Sequence, residues 1–246
     1  MLEGFFLAGP LIADKVSPMR RVRPGLYLMT AVTLVLGVCG CASVSVTDVA
    51  HFPGPRPPMP ERILVEEFSA PSVAFRVDRD GEALDMFRNE FARGLSRAIV
   101  ERVDKHLLPA EVSDGDRKGG RRVWVVTGRF LRVNQGSRAL RMSLGLGAGG
   151  SKLETRVVVY DLSGDKPRAI LTFETTGGSN AAAGAVFNLN PWIAGAAAAG
   201  LALSGLSYDA VRTSREVTAV LSEYMAEQGM IDPRRAKRSK KLGQWP

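Results

Sequence analysis

The residues with the most definite chemistry are Val38-Cys39-Gly40-Cys41. A bacterial lipobox places an aliphatic residue three positions before a cysteine and a small residue directly before it. Val38, Gly40 and Cys41 fill those places. Cysteine is required because its thiolate is the side-chain nucleophile soft enough to take a diacylglycerol thioether near neutral pH. The spacing therefore predicts cleavage between Gly40 and Cys41 and lipidation of Cys41. Cys39 fits the acylated position badly, because Val38 would then stand at the cut.

The element that must present this site lies upstream. Met19-Arg20-Arg21-Val22-Arg23 is a basic start, and Leu26 to Val38 carries no charged residue. A basic n-region, a short apolar run and a small-residue cleavage site make a secretory signal peptide, residues 19 to 40. A transmembrane helix needs about 20 apolar residues, more than this run supplies. Residues 1 to 18 fit no targeting pattern and read as a mis-assigned extension, with Met19 as the start.

Both cysteines of the chain are Cys39 and Cys41. Once Cys39 leaves with the signal, a disulfide or cysteine metal site cannot form in the mature fold. The net charge is +8, but the ends hold it: residues 42 to 231 carry 23 basic and 22 acidic residues. Charge placed this way does not make a nucleic-acid face on the fold. The basic tail, residues 232 to 246, reads as solvated charge, with attraction to an anionic surface as its functional alternative.

After the cut, residues 41 to 61 carry Pro53, Pro55, Pro57, Pro58 and Pro60. Proline fixes φ and removes a donor, so this stretch reads as an extended tether. At about 3 Å per residue it would hold a domain up to roughly 60 Å from the bilayer.

Residues 62 to 231 read as one α+β domain. Arg62 to Phe68 is a short strand. Gly81 to His106 places Leu84, Phe87, Phe91, Leu95, Ala98, Ile99 and Val103 on one helical face, with Asp80 as N-cap. A polar loop, 108 to 120, follows. Arg122 to Val133, Lys152 to Asp161 and Arg168 to Thr175 are strands. The first shifts face after Phe130, as a bulge would make it, and Leu162 to Pro167 turns the last two into a hairpin. A second helix, from about Tyr208 to Gln228, buries Val211, Ser214, Val217, Val220, Leu221, Tyr224 and Met225, with Ser207 and Gly229 as caps. The expected architecture is a two-layer sandwich in the order β-α-β-β-β-α. Its sheet is mostly antiparallel, of about four strands, with both helices on one face.

Other motifs have plainer readings. Gly145-Leu146-Gly147-Ala148-Gly149-Gly150 has the composition of a dinucleotide loop. A strand follows it where a helix N-terminus is needed, so it reads as a crossover. Glu66-Glu67 could supply acid–base chemistry, but adjacent strand residues face opposite ways. His51 in the tether and His106 at a helix end form no ligand or nucleophile pattern. No cofactor is implied. Residues 177 to 206 are Gly- and Ala-rich, with no charge between Glu174 and Asp209. They read either as a buried element beside the sheet or as a membrane or self-association contact through Trp192, Ile193, Gly195, Gly200, Leu201, Leu203 and Leu206, small residues permitting close approach.

The block Gly136-Ser137-Arg138-Ala139-Leu140-Arg141 through Gly145-Leu146-Gly147-Ala148-Gly149-Gly150-Ser151-Lys152-Leu153-Glu154, followed by Val157-Val158-Val159-Tyr160-Asp161, resembles the bacterial lipoproteins of the domain of unknown function 4410 family. The resemblance covers about Ile63 to Ile231 and brings no catalytic residues. The element order is also similar, at fold level, to the N-terminal half-domain of TolB and the periplasmic part of the curli secretion lipoprotein. Together these readings predict an outer-membrane lipoprotein facing the periplasm. Ala42, not Asp, follows the cysteine, as the enterobacterial sorting rule requires. Its expected work is binding or assembly with envelope proteins or further copies of itself. The alternative is a periplasmic enzyme acting on glycans through paired carboxylates.

Overall fold

In the computed structural model the described residues are 43–113, 115, 122–136, 150–178 and 205–242. Their elements in chain order are β1 (Ser43–His51), β2 (Arg62–Val65), β3 (Phe75–Arg76), α1 (Gly81–His106), β4 (Ala110–Val112), β5 (Val123–Asn134), β6 (Lys152–Asp161), β7 (Arg168–Gly178) and α2 (Gly205–Glu227).

The sheet has seven strands in the order β1-β7-β6-β5-β2-β4, with β3 also on β5. It is α+β as expected, but larger than four strands and mixed. The β1-β7-β6-β5 half is antiparallel. The other half is parallel: β2 pairs with β4 and β5, and β3 with β5. The parallel half follows from α1, a crossover between β2 and β4. The three strands missed outright are β1, β3 and β4. The last two are only two and three residues long, too short to show a period of two.

One face of the sheet carries both helices. Ile63, Trp124, Val126, Phe130, Val157, Val159, Leu171 and Phe173 form a single core with Phe91, Leu95 and Ile99 of α1 and Val217, Leu221 and Met225 of α2. The expected bulge in β5 lies between Phe130 and Arg132. At its heart five phenylalanines meet: Phe75 is 5.5 Å from Phe130, and Phe91 is 5.4 Å from Phe130 and 5.7 Å from Phe87, with Phe68 6.0 Å from Phe130. Gly128 makes room for this group, since a Cβ there would run into the Phe68 ring. The far face holds a small second cluster, Leu64, Val123, Val125 and Leu162, beside polar residues such as the Arg156–Glu174 pair.

The tether reading of residues 41 to 61 does not hold. Ser43–His51 is the edge strand β1, with Val44 and Val46 buried against β7 and α2. His51 accordingly sits at a strand end, 3.5 Å from Glu227. The prolines serve a different purpose. β1 and β2 lie on opposite sides of three intervening strands, about 19 Å apart at ~4.8 Å per strand. An extended, donor-poor segment crosses that width efficiently. Arg168 donates to the Pro55 carbonyl at 2.7 Å and Arg122 to the Met59 carbonyl at 2.9 Å, fixing the crossing. Pro57 and Pro60 are buried beneath it.

The helices run close to their expected bounds. Asp80 has the extended backbone of an N-cap but makes no side-chain cap bond. Ser207 lies inside α2, buried, and is not its cap, because the helix starts at Gly205. Gly229 ends it with a left-handed φ of 62°, and Met230 N–H reaches the Met225 carbonyl at 2.8 Å.

Candidate functional site

One end of the sheet gathers the features that the sequence singles out. β1 opens there at Ser43, paired with Gly178 at the end of β7. Gly177 pairs with Leu153 at the start of β6, and Lys152 pairs with Asn134 at the end of β5, which meets Arg76 of β3. α2 departs from the same end, tied down where Ser151 Oγ donates to Asp209 at 2.7 Å. Asp209 is fully buried, with Arg212 at 3.6 Å. Gly177 and Gly178 permit this closure: a Cβ on the first would strike Val44, and one on the second would lie 2.6 Å from the Ser151 carbonyl oxygen.

Cys41 and Gly40 lie outside the described residues, but Cys41 is two residues from Ser43. Two residues of extended chain span at most about 7 Å. The chain between Cys41 and this end of the sheet is therefore far shorter than the expected tether. Segments 137–149 and 179–204, also outside the described residues, leave and rejoin the fold at this end.

Of the candidate contact residues in the charge-free segment, Trp192, Ile193, Gly195, Gly200, Leu201 and Leu203 lie outside the described residues. Leu206 does not make an external contact. It is 1 % exposed and belongs to the helix-face core, because α2 begins a turn earlier than its apolar stripe suggests. The glycine block 145–149 likewise lies outside the described residues, and Gly150 leads directly into β6.

The buried carboxylates Asp161, Asp209 and Glu216 are held in structural pairings. Glu66 is half-buried and Glu67 exposed, just past the end of β2. Buried Asp161 accepts from Ser163 Oγ at 2.8 Å and from Arg168 at 3.2 Å. No group of three His, Cys, Asp or Glu side chains suited to a metal ion occurs among the described residues, nor does a helix long and apolar enough to cross a membrane.

Sequence reasoning missed the role of the C-terminal tail. Residues 237 to 242 lie in a slot between α2 and β1. Lys237 N–H donates to Ser222 Oγ at 3.0 Å, Ser239 N–H to Glu223 at 2.9 Å and Lys240 N–H to Glu216 at 2.7 Å. Val46 N–H donates to the Lys240 carbonyl at 2.6 Å, and Leu242 N–H to the Val46 carbonyl at 3.3 Å. The reading of plain solvated charge holds for the side chains and fails for the backbone. The available signal was the pair Glu216 and Glu223, seven residues apart on one face of α2. Burial raises the Glu216 carboxyl above its usual range, against the pull of the Lys240 N–H and charge. Burial and the nearby charges of Arg102 and Lys105 lower Lys237.

No curated protein sequence matches the chain. Among solved structures it is similar to the PelC dodecamer from Paraburkholderia phytofirmans, at 7 % identity and a TM-score of 0.36, over 56 % of this chain and 83 % of that one. A point variant of that dodecamer, from the same organism in a second crystal form, gives 10 % identity and a TM-score of 0.34 over 58 % and 84 %. Both likenesses are too slight to bear on fold or function, and neither supports the expected likeness to TolB or the curli lipoprotein. The family model of the domain of unknown function DUF4410 matches residues 63–196, stopping short of Ile231, and the chain belongs to that family.

Proposed function

We propose that the protein is a lipid-anchored lipoprotein of the outer membrane, facing the periplasm, that works as a non-catalytic binding or assembly module held against the bilayer surface. One observation carries the reading: β1 begins two residues after Cys41, so a lipid on that thiol reaches the sheet without a spacer. A diacylglycerol thioether supplies two chains, and stable anchoring needs two signals. The end of the sheet next to Cys41 then meets the headgroups, and the β6–β7 turn at Ser163–Lys166 points toward the periplasm. The charge-free residues 179–204 leave the fold at the headgroup end, which supports a membrane-surface contact for Trp192, Ile193, Leu201 and Leu203.

Metabolic labelling with a fatty acid tests the reading. The wild-type chain takes label. Cys41→Ser takes none and accumulates as unprocessed precursor. Continued labelling of Cys41→Ser, or recovery of the labelled protein with the inner membrane, contradicts it.

A further inference from the structure

The slot between β1 and α2 recognises an extended chain by its backbone. Its acceptors are Ser222, Glu223 and Glu216 on α2, and its strand partner is Val46. Beyond its backbone the occupant contributes one side-chain bond, Ser239 Oγ donating to Glu223 at 2.7 Å. Lys237, Arg238, Lys240, Lys241 and Leu242 are exposed, Leu242 by 65 %. None of these bonds distinguishes the chain's own tail from the same tail of a neighbour.

The edge beneath the tail needs a cover. From Ser43 to Thr47, β1 reads Ser-Val-Ser-Val-Thr, alternating and uncharged, with no proline or lysine to discourage pairing. Its bulge, with Asp48 at a φ of 51°, comes only after Thr47. The tail supplies that cover through a parallel bridge between Val46 and Lys241.

The tail reaches the slot over a short exposed hinge. Asp232, Pro233, Arg234 and Arg235 are all exposed, and the single-turn helix Pro233–Arg235 is closed by bonds within its own turn: Asp232 accepts from Arg234 N–H at 2.8 Å and from Arg235 N–H at 2.9 Å, and the Pro233 carbonyl accepts from Ala236 N–H at 3.3 Å. Short hinges beside an exchangeable segment favour swapping between copies. Charge acts in the same direction: two acidic side chains of the slot face a segment with four cations.

We propose that the slot between β1 and α2 is an interaction surface for a second copy of this chain, whose residues 237 to 242 take the place of the resident tail and link neighbouring copies tail to edge. The interface does not depend on the lipid anchor, so it is open to test without one.

Ser45 and Lys240 immediately precede the bridged pair Val46 and Lys241. In the full chain with Cys39→Ser and Cys41→Ser, two single variants, Ser45→Cys and Lys240→Cys, are mixed in mild detergent and treated with a short thiol crosslinker. A linked heterodimer is expected, with yield rising with protein concentration. It should exceed severalfold the yield of Lys240→Cys mixed with Val73→Cys, a site 89 % exposed and far from the slot. The double variant Ser45→Cys/Lys240→Cys reports the resident tail by closing within one chain at low concentration. Closure of the double variant without heterodimer from the singles overturns the proposal, since the tail then serves only its own chain. Equal yields with Val73→Cys, or no closure of the double variant, also overturn it.

Discussion

Val46→Ala separates a tether from an edge strand most sharply. Val46 is 2 % exposed and packs in the helix-face core. The change removes two methyl-sized groups, about 1.6 kcal/mol of transfer free energy at ~0.8 kcal/mol each. The surrounding α2 and β7 side chains can close only part of the gap, which adds roughly 1 kcal/mol of cavity cost. A total of about 2–3 kcal/mol is a large share of the roughly 5–15 kcal/mol that holds such a domain together. For a domain of this size it lowers the melting temperature by about 5–10 °C. The assay is thermal unfolding followed by circular dichroism, in a Cys41→Ser background so that lipid does not intervene. Val49→Ala on the same strand is the control. Val49 is 42 % exposed, and its loss should cost less than about 0.5 kcal/mol. If Val46→Ala melts with the parent, residues 43 to 51 are a tether and the placement of β1 is refuted.

Four further outcomes are expected. Phe91→Asp, at a position 2 % exposed, should leave the domain unfolded, because an uncompensated buried charge costs several kcal/mol; a folded protein with unchanged melting would mean that the α1 stripe is not core. Gly128→Val drives a branched side chain into the Phe68 ring and should lower stability by about 1–3 kcal/mol, which denaturant titration reads directly. Glu216 binds its proton more tightly folded than unfolded, so its contribution disfavours folding at neutral pH and is relieved as pH falls toward the ordinary value of 4.5; Glu216→Gln should melt no lower than the parent at pH 7 and lose that part of the pH dependence. Deleting residues 179 to 204, with a short polar join between Gly178 and Gly205, should leave melting unchanged and weaken binding of the unacylated chain to vesicles; unfolding would place the segment in the core.

Long elements were legible because each shows its period. Phe87, Phe91, Leu95, Ile99 and Val103 define α1 over its whole length, and Leu153, Thr155, Val157 and Val159 define β6, all of them buried. The face shift after Phe130 was visible for the same reason. What escaped was set by tertiary context. β1 alternates properly, but five prolines just downstream dominate the reading of that region, and their use in crossing the sheet depends on a strand order that local sequence does not carry. β3 and β4 are too short to show any period. The tail's backbone bonds leave its side chains exposed, so its composition stays that of a solvated strand. Leu206 shares its composition with the charge-free segment before it, so composition leaves it open between a buried element and an external contact; burial of the first turn of α2 decides for the core. At the candidate site the proposed lipobox rests on the spacing of three residues between Val38 and Cys41. Its consequence was not legible, because that depends on β1 starting two residues later.

The account's central claim is that the lipid on Cys41 sets one end of the sheet directly on the bilayer. Processing as proposed removes Cys39 and blocks Cys41, which would leave an introduced cysteine as the only free thiol of the sequence. A fluorophore is placed at Lys152→Cys, at the start of β6, or at Asp165→Cys, in the turn at its other end. The strand between them puts the two about 30 Å apart. The purified protein is reconstituted into vesicles whose headgroups carry a quencher. The account predicts strong quenching at residue 152 and little at residue 165. Equal, weak quenching at both would mean that the domain stands away from the membrane on a spacer, and the claim would be wrong.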